Sequence, residues 1–399
     1  MSDHFYLSSS SEKNARLLVE KNSLMNIVLS VTGAKGGIYS GTLVKRFHLR
    51  GWIIAGLLLF IAGEVIGQSG GRQIYQFLNL PASARTLALG GYQPNVSDGD
   101  INLAYENPAS IRKDHHHALS FNHAFYFSGV QFGYATYGYH LENSRISLAG
   151  GIRYINYGDF EHTNELGQVV GEFDASELGI GLTASRQIYD RLHLGTSLRF
   201  VQSSFESYVS TGLLFDVGAL YELEERNINI SLVLKNFGFQ LSRYFETRES
   251  VPFDLRAGIS KRLEHLPFRF SIIGHNLHRW DINYDDPAAQ QGSFIFGEEE
   301  DEEDPRFSGV DNFFRHLIFS GEFYLGPEEQ FHIRLAYNHL LAQEMSLPDS
   351  RALAGISFGL GFRINRFRID YGFGRYHTGA NANKFTISTN ISEFKRSIL

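Results

Sequence analysis

Ala354-Gly355-Ile356-Ser357-Phe358-Gly359-Leu360-Gly361-Phe362-Arg363-Ile364, then Phe367-Arg368-Ile369-Asp370-Tyr371-Gly372-Phe373-Gly374, sets large apolar residues on alternate positions. The positions between carry Gly, Ser or charge. Successive residues of a strand point to opposite faces, so each run describes a strand with one greasy face and one small or polar face. The same alternation recurs upstream, where Leu178, Ile180, Leu182 and Ala184 interleave with Gly179, Gly181, Thr183 and Ser185. The register implied puts Leu182 outside and Thr183 inside, so an Arg at 182 is expected to harm assembly more than an Arg at 183.

Working outward, period two begins near His117 and continues almost to the end. Strands are expected at 117–125, 130–139, 145–157, 175–189, 192–206, 210–224, 228–239, 254–263, 268–278, 313–325, 330–341, 352–364, 367–377 and 383–391. Short connections at 140–144, 190–191, 225–227, 264–267, 326–329 and 365–366 alternate with longer ones at 158–174, 240–253, 279–312 and 342–351. The connections at 126–129 and 207–209 are short and fit that alternation less well. A soluble sandwich shares the pattern, but strand length, an even count and unequal turns favour an all-β transmembrane antiparallel barrel of about fourteen strands.

The amino-terminal region supports export. Lys45, Arg46, His48 and Arg50 precede the apolar run Gly51–Ile61, and Val65-Ile66-Gly67 offers a cleavage site before Gln68. This reads as a signal peptide over 44–67 rather than a membrane anchor, because the apolar core is short and Glu64 follows it. A GTG start at Val44 would make residues 1–43 a start-site artefact. Residues 68–114 are punctuated by Leu80-Pro81-Ala82, Leu89-Gly90-Gly91, Asp98-Gly99-Asp100 and Asn107-Pro108-Ala109, and are expected to form a plug or cap ahead of a barrel over 115–399.

Composition narrows the function classes. The chain has 399 residues, no cysteine and a formal charge of −7, with no basic stripe for nucleic acid. His115-His116-His117 is a poor metal site, because adjacent extended residues diverge. The acidic run Glu298–Asp304 lacks the spacing of a calcium loop and reads as a solvated loop, or as a loose cation site near lipopolysaccharide. No catalytic spacing of Ser, His and Asp is evident, so no enzyme, cofactor or metal is expected. Arg153, Arg186, Arg199, Arg334, Arg363 and Arg368, with Glu177, Asp216, Glu322 and Asp370, are expected on the lumen faces, since charge facing lipid is costly. They would line a selective pore or a salt-bridged, closed lumen.

The segment Tyr75-Gln76-Phe77-Leu78-Asn79-Leu80-Pro81-Ala82-Ser83-Ala84-Arg85-Thr86-Leu87-Ala88-Leu89-Gly90-Gly91 resembles the opening signature of the PorV/PorQ branch of the FadL-like barrels, and of its PorQ members in particular. Leu103-Ala104-Tyr105-Glu106-Asn107-Pro108-Ala109-Ser110 and His377-Thr378-Gly379-Ala380-Asn381-Ala382-Asn383-Lys384-Phe385 extend the likeness. The chain departs from it in ending Phe394-Lys395-Arg396-Ser397-Ile398-Leu399, without a terminal aromatic, which leaves the last strand open. The resemblance implies a fourteen-stranded outer-membrane barrel of the type IX secretion system of Bacteroidetes. It would hold a PorZ-like surface protein, and through it PorU and PorV, beside outer-membrane lipid and lipopolysaccharide. Phe294, Ile295, Phe296, Tyr244 and Phe245, together with Phe160, Phe173 and Tyr284 on the long loops, are the expected partner contacts. The competing expectation is a FadL-like channel for small hydrophobic molecules.

Overall fold

The computed structural model describes residues 73–126, 129–282, 305–345, 354–377 and 380–395. The signal peptide and leader, the acidic run and Phe294-Ile295-Phe296 lie outside the described residues.

Fourteen strands form a closed barrel in which each pairs with its sequence neighbour and β1 pairs with β14. They are β1 Ala118–Phe125, β2 Gln131–Leu141, β3 Ile146–Thr163, β4 Val169–Tyr189, β5 Leu192–Phe205, β6 Tyr208–Leu223 and β7 Ile228–Ser242. The second half comprises β8 Asp254–Arg262, β9 Phe268–Gly274, β10 Leu317–Leu325, β11 Phe331–Asn338, β12 Ile356–Ile364, β13 Phe367–His377 and β14 Ala380–Asn390. All pairings are antiparallel, and closure leaves no free wall edge. The final strand is therefore β14, joined to β1 from Ala118↔Asn390 to Phe125↔Asn383.

Alternation sorts the side chains. Outward, every strand presents large apolar residues to the surroundings, from Phe121 on β1 through Leu182, Leu232 and Leu335 to Ile387 on β14. Inward lie Ser, Thr, Gly and charge. This is a fold typical of outer-membrane proteins.

Three expectations change. The connection at 158–174 is mostly strand: β3 and β4 run past the wall as a two-stranded ribbon around a turn at 164–168, with Phe160 stacked on Phe173. Its many charged residues disguise the strand period. Second, β9 ends at Gly274 and β10 starts at Leu317, because a helix, Pro305–Arg315, occupies the stretch read as the start of a strand. A short helix, His339–Glu344, likewise follows β11, capped by the Asn338 side chain accepting from the Leu341 N–H at 3.3 Å. Third, Arg186 shares the outward parity of Leu182 and Ala184 and is exposed near the short-turn rim. Arg363 has inward parity but is exposed at the same end, beside the turn to β13.

Candidate functional site: a plugged lumen

Residues 73–117 run through the barrel. Gln73 bridges to Ser250 in the β7–β8 connection, at the end carrying the longer loops. His117 bonds to Gly138 near the end carrying the short turns, where β1 begins. Between them the chain folds into helices Ala84–Ala88 and Leu103–Glu106 and three 3-10 turns. Ser83 caps the first helix, its side chain accepting from the Thr86 N–H at 3.1 Å. Asn107 turns the chain into Pro108, its Oδ1 accepting from the Ala109 N–H at 2.9 Å.

The wall's small inward residues make room for this plug. A Cβ at Gly195 or Gly218 would strike Pro108 or Asn107, and one at Gly258 would meet Asn95 at 2.9 Å. Polar bonds tie the two together: the Ala84 N–H donates to Thr386 Oγ1 at 2.8 Å, and Ser260 Oγ donates to the Asn95 carbonyl at 3.0 Å.

Two groups of buried charge cross the plug–wall boundary. In the first, four guanidiniums (Arg85, Arg269, Arg334, Arg368) meet four carboxylates (Asp98, Asp100, Glu322, Asp370). Glu322 is the hub: Arg85 reaches it at 2.6 Å, Arg334 at 2.7 Å and the Tyr324 hydroxyl at 2.6 Å. In the second, the Tyr105 ring of the plug lies 4.3 Å from the Arg153 guanidinium, 4.5 Å from that of Arg199 and 4.2 Å from Lys235 Nζ. Asp216 pairs with both Arg199 and Lys235, and Arg256 pairs with Asp254 and Glu106.

Of the residues expected in the lumen, Arg153, Arg199, Arg334, Arg368 and Asp370 thus fall into these two groups, with Asp216 and Glu322; Glu177 is buried on the same wall but bonds to Ser203 and Tyr157 instead, and Arg363 does not join them. Sequence reading missed Arg85, Asp98, Tyr105, Lys235, Arg256 and Lys384. Lys384 could have been found from its position one residue before outward Phe385. Lys235 could have been found in the same way, since it follows outward Leu234 and shares the inward parity of Ser231 and Val233; a bulge then turns Asn236 inward as well and breaks the parity beyond it.

The three consecutive histidines go separate ways. His115 Nδ1 accepts from the Arg112 N–H, His116 Nδ1 accepts from the His140 N–H, and His117 Nδ1 bonds to the Tyr137 hydroxyl. Among the described residues no three His, Asp or Glu side chains are grouped to hold a metal ion.

A polar vestibule of about 640 Å³ opens at the short-turn end, lined by Arg112, His140, Glu142 and Asp190 among others. At the opposite end a pocket of about 220 Å³ lies among Gln73, Tyr92, Asn276 and Glu344. A cavity of only about 20 Å³ sits deeper, beside Tyr105, Arg153 and Arg199. At the long-loop end Tyr244 folds back, donating to Ser203 Oγ at 2.5 Å, whereas Phe245 is 68% exposed. There the helix Pro305–Arg315 is tied to His339–Glu344 through Asp311, which accepts from Arg315 at 2.5 Å and bonds to His339 at 2.7 Å. Burial alone would raise the Asp311 carboxyl, but those hydrogen bonds and charges outweigh it and hold it below its ordinary range.

No family model matches the chain, and no curated protein matches it. Among solved structures it is similar to the toluene transporter TbuX of Ralstonia pickettii, at 10% identity and a TM-score of 0.45 over 78% of this chain and 98% of that one. It is also similar to a Pseudomonas aeruginosa FadL homologue, at 10% identity and a TM-score of 0.43 over 77% of this chain and 98% of that one. The CymD monoaromatic hydrocarbon channel matches at 13% identity and a TM-score of 0.44, over 78% and 96% of the two chains. The class stands on strand pairing instead: a closed fourteen-strand antiparallel barrel, threaded by its own amino-terminal segment.

Proposed function

We propose that this chain is a non-enzymatic outer-membrane barrel that anchors a partner at the cell surface. One observation carries the reading: the lumen is filled by the chain's own residues 73–117 and locked to the wall by buried ion pairs. A barrel closed in this way serves as a fixed body in the membrane. The outward apolar belt supplies the membrane contact, and the longer loops mark the surface end. That end exposes Phe160, Leu166, Phe245 and Trp280, which are poor choices for solubility and good anchors for a protein interface. The sequence motifs make a PorZ-like protein of the type IX attachment complex the partner to test, with PorU and PorV beyond it. Replacing Phe294, Ile295 and Phe296 with Ser tests that stretch. Normal barrel abundance with the partner lost supports it, and a retained partner excludes it.

A second reading has its own support. An apolar cavity of about 260 Å³ lies between Leu277, Trp280, Phe313 and Leu317 at the long-loop end. It suits a small hydrophobic molecule bound for a FadL-like channel. Saturable quenching of Trp280 fluorescence by a monoaromatic hydrocarbon, weakened in Phe313→Ser, would favour this reading, provided the hydrocarbon also crosses barrel-loaded vesicles faster than empty ones.

A further inference from the structure

The two buried charge groups differ in one respect. The Glu322 group balances, four cations against four carboxylates. The Tyr105 group does not. Its five cations are Arg153, Arg199, Lys235, Arg256 and Lys384, and all are buried. Its carboxylates are Asp216, Glu106 and Asp254. Glu177, the next on the same wall, is engaged by neutral donors, Ser203 Oγ at 2.6 Å and Tyr157 Oη at 2.7 Å. With every Arg and Lys counted as charged and Glu177 as ionised, one positive charge is still uncompensated.

The excess falls on Arg153 and Lys384. Both lie over the Phe132 ring, at 4.6 and 4.0 Å, and neither touches a carboxylate. Lys384 donates to the Pro81 carbonyl. Arg153, only 2% exposed, spends Nη2 on the carbonyls of Phe77 and Leu80, while its Nε and Nη1 are buried without a hydrogen-bond partner. A buried cation with idle donors in a low-dielectric interior is expensive. Arg153 also lines the 20 Å³ cavity, with Arg199, Tyr105, Thr136 and Thr183 around it and Gly151, Gly179 and Gly181 keeping it open. That volume suits one water-sized or halide-sized occupant.

We propose that this cavity is a binding site for one small monovalent inorganic anion of chloride size, held by Arg153 and Arg199. The anion neutralises the excess charge and accepts from one of the idle donors of Arg153, so it acts as a fastener between plug and wall. Larger anions are excluded by volume.

The probe is bromide, which replaces chloride and scatters anomalously. Crystals of the full-length barrel grown in bromide are expected to show a peak within hydrogen-bond distance of Arg153 Nε or Nη1. Absence of a peak there overturns the proposal, whatever appears on the protein surface. In solution, chloride is expected to raise the unfolding midpoint relative to gluconate at equal ionic strength. At one hundred times its Kd, a bound anion favours the folded state by roughly a hundredfold. Arg153→Met should remove the difference between the two salts. An equal difference in that variant would place the salt effect elsewhere and overturn the assignment to Arg153. Should Arg153→Met fail to assemble, the bromide crystal of the unaltered protein decides alone.

Discussion

Gly372 on β13 faces the Ala84 carbonyl so closely that a Cβ on it would collide with that oxygen. The barrel wall and its plug are thus fitted backbone to backbone at this point. Gly372→Val is expected to displace the plug and cost about 1–3 kcal/mol or more, as overpacking of a filled interior does. Gly150, with no atom near the position of its missing Cβ, is the control, and Gly150→Val should behave as the unaltered protein. Urea unfolding of the two variants in lipid vesicles makes the comparison; equal midpoints would mean the plug is not held there.

Glu322→Gln removes the carboxylate shared by Arg85 and Arg334. Arg85 keeps Asp98 and Arg334 keeps Asp370, but four guanidiniums then face three carboxylates, and a buried charge left uncompensated in this way costs about 3–5 kcal/mol. The double variant Glu322→Gln, Arg334→Met should recover part of the loss. A double variant no better than the single one would show that Arg334 is not the cation left stranded.

The structure alters the expectation for residues 182 and 183. Leu182 is 58% exposed on the outward face, and Leu182→Arg near the bilayer midplane should cost about 2–4 kcal/mol. Thr183 faces inward as read, but the space there is packed: its Oγ1 bonds to Ser197 at 2.8 Å, and it shares a cavity with Arg153 and Arg199. Thr183→Arg therefore brings a third guanidinium into a filled, positive site and should be at least as damaging as Leu182→Arg. Thr183→Val should be the mildest of the three. A benign Thr183→Arg would indicate a wet lumen at this level.

The ribbon formed by the ends of β3 and β4 is separable from the wall. Wall pairing of β3 with β2 stops at Asn156, and that of β4 with β5 starts at Ala175. Replacing residues 160–173 by a short turn should leave barrel abundance and heat-modifiability unchanged. Misassembly of the shortened protein would mean that the ribbon guides closure of the wall.

Acid should loosen the outer helices first. The Asp311 carboxyl is held below its ordinary value of 3.8 by Arg315 and His339. A lowered carboxylate contributes its stability above 3.8 and loses it as pH falls through the folded value. Hydrogen exchange in residues 305–315 should accelerate below about pH 3.8 while wall amides stay protected, and Asp311→Asn should show the faster exchange at neutral pH. An unchanged profile in Asp311→Asn would exclude this carboxylate as the fastening.

The strands were legible in the sequence because alternation survives wherever one face meets an apolar surround: Phe358, Leu360 and Phe362 against Ser357, Gly359 and Gly361 need no partner to declare their faces. The ribbon was not, because with neither face buried its residues are free to be polar. The lumen was half legible. Parity places Arg334 and Asp370 inside, but which charges meet depends on Arg85 and Asp98, which lie in an aperiodic stretch and reach the wall only in three dimensions. Nor could spacing show that the glycines of the inner face are clearances cut for Pro108, Asn107 and Ala84.

The route of residues 73–117, from Ser250 at one rim to Gly138 at the other, makes the plug an axle and the wall a hub built around it. A hatch tethered at one rim can swing out, but an axle leaves only lengthwise or through a split in the hub. The split available is the seam where Leu119 faces Thr389. A disulfide between Leu119→Cys and Thr389→Cys should therefore stop the plug from escaping sideways, and protease cutting at both ends of the plug, near residues 73 and 117, should then leave the piece between the cuts captive. Fragments that wash free of the locked barrel would mean that the axle slides.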